Sequence, residues 1–272
     1  MPARTPWKAV TNLLQLPCPQ GRRREPSRNP GACHATKQTA PRTGTTVANA
    51  GLYNRARNQP YPKPSVSLLH RASFLTSAAR LDQLPAPGAP EVCFVGRSNA
   101  GKSTAINVLC NQRRLAFSSK TPGRTRLINM FSLPDPLDPQ AALGYLVDLP
   151  GYGYASVARD EKEKWADILG GYLRDRASLA GVVLLIDIRR GVTELDRRLA
   201  NFIAPTGRPV LALLTKADKL PYGQRVRAIY AVRKELADIG ALHTVPFSAT
   251  ERIGLEEAAN HIENWISPKV VP

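Results

Sequence analysis

The 272-residue chain is short of several things, and each shortage excludes a class of protein. No apolar run approaches the roughly 18 residues that a membrane span needs. The longest, "GVVLLIDI" at 181–188, reads as a buried strand, so no membrane association is expected. There are four cysteines, Cys18, Cys33, Cys93 and Cys110, and no two form a CxxC pair. That argues against a disulfide framework and against a structural zinc site. Cys93 and Cys110 read instead as reduced core thiols. The four histidines are scattered and offer no metal-ligand spacing. Acidic residues are scarce as well: 21 Asp and Glu face 38 Lys and Arg, a net charge of +17. An anionic partner is therefore plausible before any motif is read.

The imbalance is uneven. Residues 1–65 hold eleven Lys and Arg, one acid (Glu25) and ten of the 24 prolines. Such a segment buries too little apolar surface to offset the entropy of ordering it. It reads as a disordered basic extension. An organelle targeting peptide, a nucleic-acid-binding arm and translated upstream sequence without a role compete to explain it. The stretch "VSLLHRASFLTSAAR" (66–80) has the look of a natural beginning, and a valine codon can start translation in bacteria, which favours the third. Residues 66–272 carry 27 basic and 20 acidic residues and form the part that can fold.

From about residue 90 strands and helices alternate. Strands are predicted at 91–95, 126–133, 143–149, 181–188, 209–215 and 242–249, and helices at 102–110, 159–176, 194–204, 222–239 and 254–266. The turn "PDPLDPQ" makes the second and third strands a hairpin. Near-continuous Val/Leu/Ile strands between helices mean a sheet covered on both faces. The expected fold is three-layer α/β/α, with a mostly parallel six-stranded sheet and one antiparallel strand. Ligands of such sheets bind at the carboxyl ends of the strands.

"GRSNAGKS" fits G-x-x-x-x-G-K-[ST] at Gly96, Gly101, Lys102 and Ser103, with Arg97, Ser98, Asn99 and Ala100 between. The loop follows a strand and opens a helix, as a phosphate cradle must. Its backbone N–H groups and the helix dipole would face an anion. Lys102 can reach the β- and γ-phosphates, and the Ser103 hydroxyl can ligate Mg²⁺. "DLPG" places Asp148, Leu149, Pro150 and Gly151 at the end of a buried strand. There Asp148 can hold Mg²⁺ through water, and the Gly151 N–H can bond a γ-phosphate. "TKAD" (Thr215, Lys216, Ala217, Asp218) ends another strand. The Asp218 carboxylate can accept from guanine N1–H and the 2-amino group, donors that adenine lacks. The Lys216 stem can lie along the base. "FSA" (Phe247, Ser248, Ala249) ends a further strand, and the Ala249 N–H could bond guanine O6. In "SSKTPGRTRLIN" (118–129), Thr121 and Thr125 are both candidates to complete the Mg²⁺ shell and sense the γ-phosphate.

With these motifs in order, the chain resembles the Era/TrmE-type GTPases of the TRAFAC class and, more narrowly, the EngB (YihA/YsxC) family of bacterial ribosome-biogenesis GTPases. "GRSNAGKST", "SKTPGRTRLIN", "DLPGYGYA", "TKAD" and "FSA" carry the resemblance, which covers about 68–268. It implies a GTP-binding domain over 66–272 that hydrolyses GTP to GDP as a conformational switch. It further implies a role in large-subunit ribosome assembly and in normal cell division and septation, in the bacterial cytoplasm, as a monomer. It selects Thr125 as the Mg²⁺ threonine beside Ser103 and Asp148, and places Gly123, Arg124, Arg126 and Leu127 at the nucleotide. Lys102, Thr125, Gly151 and Asn99 are the candidate catalytic residues.

Two departures from the wider GTPase pattern stand out. Thr215 replaces the usual Asn, so base selectivity leans on Asp218. Tyr152 stands where Ras-like enzymes place a water-orienting glutamine, which predicts slow intrinsic hydrolysis. Asn99 resembles the asparagine that helps hold K⁺ in related enzymes, where the cation would supply charge at the transition state. Arg113–Arg114, Arg189–Arg190 and Arg197–Arg198 suit an rRNA backbone. Two other readings compete: a P-loop ATPase or kinase, and a basic rRNA-binding module whose nucleotide is structural.

Overall fold

The structure, a computed structural model, describes residues 67–117, 127–135, 137–138, 141–153 and 159–267. Seven strands form one sheet: β1 (Ser73–Ala78), β2 (Glu91–Gly96), β3 (Ile128–Pro134), β4 (Ala142–Asp148), β5 (Leu179–Asp187), β6 (Val210–Thr215) and β7 (Leu242–Pro246). Their spatial order is β1-β3-β4-β2-β5-β6-β7. β3 alone runs against its neighbours β1 and β4; β4, β2, β5, β6 and β7 pair in parallel. The mixed, mostly parallel arrangement is the expected one, but the sheet has seven strands rather than six. The added strand, β1, lies at the edge beside β3, and most of its residues are exposed.

Five helices cover the sheet: α1 (Lys102–Leu109), α2 (Arg159–Asp175), α3 (Glu194–Ile203), α4 (Tyr222–Glu235) and α5 (Leu255–Ile266). Along β2, Cys93 and Val95 face one apolar cluster and Val92 and Phe94 the other, as the two-residue period of a strand requires. The first cluster takes Leu169 and Leu173 of α2, Leu199 and Ile203 of α3 and Val232 of α4. The second takes Ala105, Ile106 and Leu109 of α1 and Ala258, Ile262 and Ile266 of α5. The central strands are thus buried on both faces, which leaves their ends as the places where polar chemistry can sit. Cys93 and Cys110 are buried free thiols, and burial pushes the Cys110 thiol up to about 12. Among the described residues no helix is long and apolar enough to cross a membrane.

Candidate functional site

β2 ends at Gly96 and α1 begins at Lys102, so the glycine loop spans the carboxyl edge of the sheet's middle strand. Gly101 caps α1 with φ +96°, a left-handed conformation that L side chains rarely adopt. Asn99 also has positive φ, +63°, and is exposed. The "DLPG" segment is zipped to this loop. Tyr152 N–H donates to the Gly96 carbonyl (3.3 Å), and Ser98 N–H donates to the Tyr152 carbonyl (2.9 Å). Gly151 directly precedes Tyr152, and a Cβ there would come within 3.3 Å of the Ser98 backbone, so a larger residue would push the loops apart. Leu149 is fully buried in the core, and its N–H is held by the Phe94 carbonyl. Its side chain therefore packs, and only the backbone from Leu149 to Gly151 is left to face a ligand.

Asp148 ends β4 level with Phe94 of β2. One carboxylate oxygen, Oδ1, accepts from the Lys102 ammonium in a buried ion pair. The other, Oδ2, is buried with no hydrogen-bond partner. An unsatisfied buried anionic oxygen is costly, and at this spot it suits a metal-bound water. Ser103, in the first turn of α1, is partly accessible and adjoins Lys102. Asp148 and Ser103 therefore fit a hard cation such as Mg²⁺, which takes oxygen ligands and keeps several waters. Gly123, Arg124, Thr125 and Arg126, like Thr121, lie outside the described residues. Leu127, just after them, is exposed at the start of β3.

The base motif is tied to the phosphate loop. The buried Thr215 hydroxyl lies 2.7 Å from the Ala100 carbonyl and 3.2 Å from that of Ile186. Thr215 is therefore a brace between β6, β5 and the glycine loop. Lys216 adopts φ +61°; its ammonium donates to the Asn99 carbonyl (3.0 Å) and to Asp187 (2.8 Å). Its stem accordingly crosses from the base motif to the loop. Ala217 N–H donates to the Phe247 carbonyl (3.0 Å), joining "TKAD" to "FSA". Asp218 accepts from the Ser248 hydroxyl (2.7 Å) and pairs with Lys219 (2.9 Å). These two donors, Lys219 first, hold its carboxyl below the ordinary aspartate range, so it is an acceptor at neutral pH. Phe247 is buried core, Ser248 is buried, and Ala249 is half-buried at the same rim.

Two residues that the motifs did not single out belong here. Asp187 ends β5, one strand from the glycine loop, and receives Arg189 and Lys216. Burial alone would raise its carboxyl, but the hydrogen bonds from those two cations outweigh it and hold it well below the usual range. The signal was available: it is an acid closing an apolar run, as Asp148 is. Asp196 of α3 takes the Tyr152 hydroxyl at 2.6 Å. Burial, then the Asp196 charge, pushes the Tyr152 phenol well up, so it stays protonated. A cavity of about 370 Å³ opens between Arg97–Ala100, Lys216 and the Asp187–Asp196 turn.

Four segments far apart in sequence thus meet at the carboxyl edge of one parallel sheet: a phosphate cradle with its lysine, a carboxylate with a spare buried oxygen, and an anionic acceptor for a base edge. A protein-family model described as a 50S ribosome-binding GTPase matches residues 91–216. The probable GTP-binding protein EngB of Bordetella pertussis is 87% identical over 207 residues, 76% of this chain and all of that protein. The chain belongs to the EngB family of GTP-binding proteins. The EngB protein of Paraburkholderia xenovorans is 50% identical over 74% of this chain and 94% of its own length. A crystal structure of a probable GTP-binding protein EngB shares the fold, with TM-score 0.52 and 23% identity over 65% of this chain and 98% of its own. The EngB P-loop GTPase fold accounts for the mixed sheet and for the placement of the described motifs at one edge.

Proposed function

We propose that this EngB protein binds Mg²⁺–GTP at the rim formed by Gly96–Ser103, Asp148–Gly151, Thr215–Asp218 and Phe247–Ala249. It hydrolyses GTP slowly to GDP and uses the change to assist large ribosomal subunit assembly, on which normal cell division and septation depend. The GTP-binding domain is residues 66–272, acting as a monomer in the bacterial cytoplasm. The observation that carries this reading is Asp218: an ionised carboxylate fixed by Ser248, on a loop braced to the phosphate cradle through Thr215 and Lys216.

Lys102 and one oxygen of Asp148 form a buried ion pair. Ser103, Thr125 and, through water, Asp148 would hold Mg²⁺, which would neutralise charge at the phosphate oxygens, and the Lys102 ammonium would turn to a triphosphate. The Gly151 N–H marks the γ-phosphate. Tyr152 cannot orient the attacking water, since its hydroxyl is spent on Asp196. That is the physical reason for slow turnover without a ribosomal partner. Asn99, exposed on the loop, would help hold K⁺ near the phosphates; faster turnover in potassium than in sodium is the expected sign. The ribosomal link is supported by the description of the matched family model. Calorimetry tests the base assignment. Asp218→Ala should erase a guanine-over-adenine preference of about a hundredfold or more; an unchanged preference overturns it.

A further inference from the structure

Three of the paired arginines read from the sequence already have acidic partners. Arg189 is bound to Asp187, and Arg197 and Arg198 of α3 pair with Glu194, Arg197 also with Glu235. These cations are largely neutralised where they stand. Helix α4 is different. Its sequence, "YGQRVRAIYAVRKE", carries four cations and one acid, and Arg227, Arg233 and Lys234 are exposed with no ion pair among the described residues.

The same helix leaves large side chains in water. Tyr222 is 75% exposed, Val226 48% and Tyr230 72%, spaced i, i+4, i+8. Their neighbours at Ala228, Ile229 and Val232 turn inward onto the core. So the two tyrosines are not core residues misplaced by helix phase; the helix has an inner apolar face and an outer aromatic ridge. The Arg225 guanidinium lies 5.9 Å from the centre of the Tyr222 ring and braces it. The rings stand about 12 Å apart along the axis.

We propose that the outer face of α4 is an RNA-docking surface: Arg227, Arg233 and Lys234 take phosphates, and Tyr222 and Tyr230 stack unpaired bases. Exposed rings interleaved with free cations are the combination that single-stranded RNA recognises. Two other occupants are disfavoured by charge. The 1–65 extension carries ten more positive than negative charges and is repelled by this helix. A second copy docking symmetrically would set the basic face against itself. This inference rests on the ribosomal reading above and names the surface that serves it.

The test uses the full chain, a short unstructured fluorescent RNA, and purified large ribosomal subunits, with anisotropy and co-sedimentation across a salt series. Replacing Arg227, Arg233 and Lys234 by Ala should weaken RNA binding about tenfold or more and flatten the log–log salt dependence by about 2. Tyr222→Ala with Tyr230→Ala should cost about tenfold or more with the salt slope unchanged, while the Phe pair retains binding. GTP affinity should stay constant in all of these, which reports an intact fold. Arg197→Ala with Arg198→Ala should change little. Unaltered affinity and slope in the triple variant overturns the surface while leaving the ribosomal reading intact, provided the parent protein binds subunits. Intact RNA binding with lost subunit binding replaces RNA by a ribosomal protein. A parent protein that binds neither probe overturns both readings.

Discussion

Two buried carboxylates sit at opposite ends of neighbouring parallel strands, and they are treated differently. Glu91 opens β2 at the amino edge of the sheet and is fully buried. Both of its oxygens are satisfied: Arg176 reaches it with Nε and Nη2 (2.6 Å), Ser178 with its hydroxyl (2.6 Å), and Tyr172 with its phenol. Asp148 closes β4 at the carboxyl edge with one oxygen on Lys102 and the other unpartnered. Burial is nearly the same; completeness is not. The closed network at the amino edge ties strand to helix. The open one leaves a charge to be completed by something that comes and goes.

Substitution at the closed site should have the larger structural effect. Glu91→Ala strands the buried Arg176 guanidinium and should lower unfolding free energy by about 3–5 kcal/mol, read from urea midpoints. A loss below about 1 kcal/mol would erase the contrast. Asp148→Asn should cost the nucleotide-free protein less, because the flexible Lys102 stem can turn its ammonium into the open site. Its main effect should be on metal coupling. The gain in GTP affinity on adding Mg²⁺, compared with EDTA, should shrink about tenfold or more. A metal gain equal to that of the unaltered protein would return Asp148 to the structural class. Tyr152→Phe sharpens the comparison from the other side. Tyr152 is at the functional edge, yet its hydroxyl is satisfied by Asp196. The variant strands one oxygen of the buried Asp196 carboxylate and should lose about 1–3 kcal/mol while keeping its hydrolysis rate. A large fall in the rate would show that the phenol acts on water after all.

The sequence announced this edge well. The glycine loop and Thr215–Asp218 close strands buried throughout, while Asp148 and Phe247–Ala249 follow β4 and the edge strand β7, which are buried only in part. The strand β1 was missed for a physical reason. Its "SFLTSA" is an exposed edge segment with no inward-facing alternation, so it leaves no periodic signal. The role of Thr215 was legible only in part. Its type pointed to weaker base contact, but that its hydroxyl braces Ala100 depends on three strands meeting, which no local pattern reports. Of the arginine pairs, Arg189, Arg197 and Arg198 meet acids in the fold, because sequence shows where cations are and not which acids fold onto them. Arg197 meets Glu235 across 38 residues.

Binding of Mg²⁺–GTP as proposed requires the Lys102–Asp148 pair to open. A crystal structure of the protein with Mg²⁺ and a non-hydrolysable GTP analogue tests it most directly. The expected result is the Lys102 ammonium within about 3 Å of a β- or γ-phosphate oxygen, with Asp148 turned to a metal-bound water. A bound nucleotide beside an unbroken Lys102–Asp148 ion pair would contradict the account.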